Sequence, residues 1–65
     1  MVNINELKAA MVRKGKTQKE VANDIGISPR SLTNKMKSGI FLSNEIEAMI
    51  RVLDIKNPVD IFFAK

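Results

Sequence analysis

Three residues, Gly26, Ile27 and Ser28, are all that separate the end of one helical pattern from the start of the next. Upstream, "TQKEVANDIG" opens with Thr17 and Glu20 at the T-x-x-E spacing of a capping box. It continues through the apolar Val21, Ala22 and Ile25 and stops at Gly26. Downstream, "SPRSLTNKMKSG" has Ser28 as cap, Pro29 at the first helical position and Gly39 as stop. So short a joint makes the two helices cross steeply instead of running antiparallel. Gly26 is expected to take a left-handed backbone where a side chain would clash. Ala22 is small where one helix passes close over the other, and Val21, Ile25, Ile27 and Leu32 are expected to meet behind the crossing.

Only Leu32 and Met36 are apolar within the second pattern. A helix this short is marginal alone in water, so packing through those two side chains must hold it. The other side chains are left to face outward.

The rest of the chain reads as further short helices. Asn3, with Glu6 three residues on, caps a first helix whose inner face carries Ile4, Leu7, Met11 and the stem of Lys14, and Gly15 ends it. Ser43 or Asn44 starts a fourth, with Ile46, Met49, Ile50 and Leu53 at core-facing spacing. Asn57 as cap, Pro58 and Asp60 open a last short helix, with Ile61, Phe62 and Phe63 closing the core. No stretch alternates with period two, so the expected fold is an all-α five-helix bundle, one domain over residues 1–65.

A chain of 65 residues can build only a small core, and it contains neither cysteine nor histidine. Disulfides and the usual Cys/His zinc sites are thereby excluded. The same absences, the lack of a Gly-rich phosphate loop and the lack of suggestively spaced carboxylates point away from an enzyme, and no cofactor is expected. The apolar runs are too short to span a membrane and the N-terminus does not resemble a signal peptide, so a cytoplasmic protein is expected, and Met1 suggests a complete small protein. Charge is uneven. Residues 1–39 carry eight Lys and Arg against three acids, a net +5, whereas residues 40–65 carry three against four, a net −1. A basic half points to a polyanionic partner, nucleic acid before an anionic membrane surface, beside the plain alternative of a solvated surface.

The combination of Gln18, Ala22, Gly26 and Leu32 follows helix-turn-helix spacing, with the motif over about residues 17–37. "TQKEVANDIGISPRSLTNKMKSG" resembles the helix-turn-helix of the Cro/CI-type phage repressors, and "SNEIEAMIRVLDIKNPVDIFF" is similar to that family's fourth and fifth helices. The resemblance implies a lambda-repressor-like domain whose third helix enters the major groove of double-stranded DNA. It further implies a Cro-like transcriptional repressor of phage or prophage origin, acting as a homodimer on a pseudo-palindromic operator without a small-molecule substrate.

Helical geometry tests which residues that third helix would offer. With Leu32 at 0°, Met36 falls at about 40°, Arg30 near 160°, Lys37 near 140° and Asn34 near 200°, flanked by Thr33 near 100° and Ser31 near 260°. Arg can bind guanine O6 and N7 with two hydrogen bonds, and Asn can do the same for adenine. Arg30, Ser31, Thr33, Asn34 and Lys37 are therefore the base-reading candidates. By family analogy, phosphates meet the starts of the second and fourth helices, nominating Thr17, Gln18, Ser43 and Asn44, with Ser28 at the joint. Lys16, Lys19 and Lys35 are candidate flanking cations, each also readable as a solubilising surface lysine.

Two positions depart from the family pattern. Relatives often have an apolar residue three after the Leu32 position, but here that residue is Lys35 and the apolar one is Met36. A rotation of the third helix by some tens of degrees is expected, shifting weight among Thr33, Asn34 and Lys37. In the following loop, where relatives often carry basic residues, Ile40, Phe41 and Leu42 are expected in the core, the alternative being a patch for a second subunit. The rival to DNA reading is a protein-interaction module of the antirepressor or antitoxin kind, its outward face matched to an acidic protein.

Overall fold

Every helix of this chain begins or ends on a signal contained within a few residues of sequence. The computed structural model describes residues 2–63. It has α1 at Ile4–Arg13, α2 at Gln18–Ile25, α3 at Pro29–Ser38, α4 at Ser43–Val52 and α5 at Pro58–Phe62. Among the described residues there is no strand. Asn3, Thr17 and Ser28 each accept a backbone N–H from three residues ahead, which satisfies one of the donors that a helix start leaves open.

Three helix ends use the same hydrogen-bond pattern with different residues: at the end of α1, Lys16 N–H donates to Met11 O and Gly15 N–H to Val12 O, both at 3.0 Å. At the end of α2, Ile27 N–H donates to Ala22 O at 3.0 Å and Gly26 N–H to Asn23 O at 3.2 Å, the paired bonds of a Schellman stop. Gly26 has φ +81°, yet a β-carbon built there meets nothing within 4 Å. The expectation of a clash is therefore corrected: the left-handed backbone, not crowding, calls for glycine. At the end of α4, Ile55 N–H donates to Ile50 O at 3.0 Å around Asp54, whose φ is 51°. Aspartate is among the few side chains that visit this region routinely.

Each helix sends one large side chain fully inside: Leu7 from α1, Val21 from α2, Leu32 from α3, Met49 from α4 and Ile61 from α5. Ala22 is also fully buried, and Ile25 and Ile27 pack against this core from its edge. Helix α2 packs on α3 and α4, and α1 packs on α5. The two ends of the described chain are joined where Asn3 N–H donates to Ile61 O at 2.6 Å.

Several apolar residues do not take the core positions expected of them. Ile40 is 71% exposed and Leu42 58%, while Phe41 between them is half-buried. Between the left-handed stop at Gly39 and the extended Leu42, Ile40 and Phe41 lie outside any helix, where no helical face holds all three side chains to one side. One of the three can face the core, and it is Phe41. Phe63 is 61% exposed because it follows two inward-facing residues, Ile61 and Phe62, and stands one turn from the exposed Val59. Asn57 precedes α5 but makes no side-chain capping bond. Lys14 is exposed rather than laid along the inner face of α1.

In α4 the buried arc is centred on Met49, with Glu45 and Leu53 one turn to either side, so Ile46 and Ile50 fall on its flank and are half-buried. Ile46, Ile50 and Phe63, with Ser43 and Glu47, surround an open apolar cavity of about 240 Å³. Among the described residues no helix is long and apolar enough to cross a membrane.

Candidate nucleic-acid interface

Helix α3 is attached along one side and free along the other. Leu32 and Met36 are buried, Ser31 and Lys35 are half-buried, and Pro29, Arg30, Thr33, Asn34 and Lys37 are exposed. On the helical wheel the covered arc runs from Ser31 at about 260° to Met36 at about 40°, so the outward direction lies near 150°. Arg30 and Lys37 straddle that direction, with Thr33 and Asn34 about 50° to either side. Helix α3 contains no acidic residue.

Lys35, the residue that departs from the resembled pattern, is held inward. Its ammonium lies 3.1 Å from Glu45 Oε2, and Glu45 is 4% exposed. The other carboxylate oxygen of Glu45 accepts the Leu42 N–H at 2.8 Å at the start of α4. A position that is apolar in the resembled pattern is here an ion pair, and one carboxylate ties the last turn of α3 to the first turn of α4. Lys35 is thus turned inward toward α4 and is not a free flanking cation. Sequence reading missed Glu45, whose only local signal is its third-residue place behind Leu42.

The other lysines separate in the same way. Lys16 Nζ donates to Asp24 Oδ2 at 2.7 Å, and that hydrogen bond holds its ammonium above the ordinary lysine pKa. Lys56 is paired with Asp54 at 3.0 Å. Among the described residues no salt bridge involves Lys8, Lys19, Arg30 or Lys37. Of the three nominated cations, Lys19 alone keeps an uncommitted charge.

The hydroxyls of the site are partly used within the fold. Ser28 Oγ accepts the Ser31 N–H at 3.1 Å and donates to Ser31 Oγ at 3.0 Å, which leaves the Ser31 hydroxyl proton available. Thr33 Oγ1 donates to Pro29 O at 3.0 Å, so outward it can only accept or offer its methyl group.

The start of α2 is a closed capping box. Thr17 Oγ1 accepts the Glu20 N–H at 3.1 Å, and Glu20 Oε1 accepts the Thr17 N–H at 3.0 Å. These bonds hold the Glu20 carboxyl below the ordinary glutamate pKa. A group whose pKa is lowered by folding stabilises the fold above its unfolded pKa, and that contribution disappears as pH falls through the folded value. Acid unfolding followed by far-UV circular dichroism should therefore lose part of its pH dependence below about pH 4.5 in Glu20→Gln. An identical acid profile for the two proteins would show that the Glu20 carboxylate is not stabilising the start of α2.

Thr17 is consequently committed to the cap, and the open backbone donors at this end belong to Gln18 and Lys19. Helix α4 differs. Leu42 occupies its cap position and offers no side-chain acceptor, so the first-turn N–H groups of Ser43, Asn44 and Glu45 have no partner from the cap.

Gln18, Thr33 and Lys37 come together around an open groove where α1, α2 and α3 meet. Ser43 and Asn44 do not line it. No family model matches this sequence, and no curated protein or solved structure is significantly similar to it.

Proposed function

We propose that this chain is a sequence-specific double-stranded DNA-binding regulator in which α2, the Gly26–Ser28 joint and α3 act as a Cro/CI-type helix-turn-helix. The observation that carries the reading is the division of α3. Its covered arc docks through Leu32, Met36 and the Lys35–Glu45 pair, and its outward arc presents Arg30, Lys37, Thr33 and Asn34 without an acidic neighbour on the helix. The major groove is about 12 Å wide and admits one helix, and an Arg–Asn pair offers bidentate partners to both guanine and adenine. Gln18, Lys19, Ser43 and Asn44 are the groups placed to meet phosphates on either side, where contacts fix register without reading sequence.

The molecule is 27 Å in its longest dimension, shorter than the ~34 Å between half-sites one helical turn apart. A pair of copies on an inverted repeat follows from this reading. The apolar surface of Ile46, Ile50 and Phe63 is one candidate contact between them, and the exposed Ile40 and Leu42 are another. The second reading is a protein-interaction module that keeps the fold and turns the same basic outward face of α3 toward an acidic protein.

Selection of bound sequences from a random duplex pool separates the two. The DNA reading expects enrichment of a motif with two inverted halves about 10 bp apart, bound with an affinity that falls steeply with salt. No enrichment, with duplex binding no tighter than that of a charge-matched control protein, would leave the interaction module standing.

A further inference from the structure

Resting on the DNA reading, the geometry points to a second phosphate-binding element on α1: we propose that the groove between α1, α2 and α3 takes a backbone phosphate of the duplex, with Lys8 as its outer clamp. The groove has a volume of about 220 Å³ and is lined by Ile4, Lys8, Gln18, Thr33, Met36 and Lys37. Its apolar lining residues are Ile4 and Met36, and its polar ones are Lys8, Lys37, Gln18 and Thr33, with no acidic residue among them. The Thr33 hydroxyl proton is already given to Pro29 O, so the donors facing an anion are Lys8, Lys37 and Gln18.

Both ammonium groups are uncommitted. Neither Lys8 nor Lys37 enters a salt bridge among the described residues, whereas Lys16, Lys35 and Lys56 all do. Neither has an acid beside it on its own helix: one turn from Lys8 stand Ile4, Asn5, Met11 and Val12, and one turn before Lys37 stand Thr33 and Asn34. Lys8 falls about 40° from Ile4 on the wheel of α1, at the margin of its buried stripe, which brings its stem over the apolar lining and its charge to the rim. Because Lys37 and Thr33 belong at once to this groove and to the outward arc of α3, an anion held here is next to any duplex that α3 enters. A phosphodiester of that duplex meets this condition without a separate ligand.

Fluorescence anisotropy of the full chain on its selected duplex and on an unrelated duplex, across a salt series, tests the assignment. Lys8→Ala is expected to weaken both complexes by the same factor, to make the slope of log K against log salt shallower by about 0.9, and to leave the unfolding midpoint unchanged. Lys8→Arg should restore the slope, and Lys56→Ala should not alter it. An unchanged slope in Lys8→Ala overturns the groove assignment, as does a loss confined to the selected sequence. Saturable binding of inorganic phosphate that is lost in Lys8→Ala, with the duplex salt slope unaffected, also overturns it in favour of a free-anion site. Failure of the DNA reading itself is visible in the unmodified protein, as absence of duplex binding, and needs no variant to detect.

Discussion

Leu32→Ala is expected to leave the protein largely unfolded at 25 °C. Leu32 is the fully buried residue of α3, and truncating a buried leucine costs about 2–5 kcal/mol through lost burial and the cavity left behind. A core in a chain of this size rarely supplies more than about 3–5 kcal/mol in total, and no disulfide or Cys/His metal site is available to compensate. Urea unfolding followed at 222 nm should show the transition shifted to the edge of the accessible range, while the volume-conserving Met36→Leu, costing less than about 1.5 kcal/mol, should keep a clear folded baseline. A loss under about 1 kcal/mol for Leu32→Ala would mean that α3 is anchored elsewhere, with the Lys35–Glu45 pair the first place to look. Because unfolding removes every contact of α3, this variant should also fail to bind duplex of any sequence.

Arg30→Ala and Asn34→Ala are expected to do the opposite: preserve the fold and remove discrimination. Both side chains are exposed, so each substitution should change stability by no more than about 0.5 kcal/mol. Each should cost about 1–3 kcal/mol on the selected duplex, roughly 5- to 150-fold in affinity, if it makes a bidentate base contact. On an unrelated duplex Asn34→Ala should be nearly silent, and Arg30→Ala should lose only what one positive charge contributes. Thr33→Ala should have the smallest effect of the outward residues, since its hydroxyl proton is held by Pro29 O. The ratio of selected to unrelated affinities, measured at one salt concentration, decides the matter. If both variants keep the wild-type ratio, α3 does not read bases through these side chains.

The two experiments separate what holds α3 from what α3 offers, and the sequence is unequally informative about them. Its attachment is nearly all local. Ser28, Pro29 and Gly39 delimit the helix, and Leu32 and Met36 stand one turn apart on its inner side, so four or five residues suffice to read it. The outward arc is a consequence of the same periodicity. Its orientation is not. Lys35 looks like one more surface cation until α4 is folded beside it, and only then does Glu45, ten residues on, become the group it must satisfy. Lys8 is similar: it is an ordinary lysine of α1 until α2 and α3 close a groove against it.

The apolar residues divide along the same line. Leu7 and Met11 of α1 and Val21 and Ala22 of α2 follow from helical spacing and are buried, whereas Ile4 and Ile25 are only half-buried and Ala10, which the spacing did not single out, is inside. Ile40, Leu42 and Phe63 are as hydrophobic as any core residue yet stand largely in solvent, because side-chain chemistry does not say which way an extended or terminal residue points. What the sequence determined by itself is the order of five helices and the limits of the first three, since caps, glycine stops and apolar periodicity each act within about one turn. What the tertiary structure alone decided is which charges are already spent within the fold and which remain for a partner. Pairing of charges depends on distances between helices, and those exist only once the core has brought the helices together.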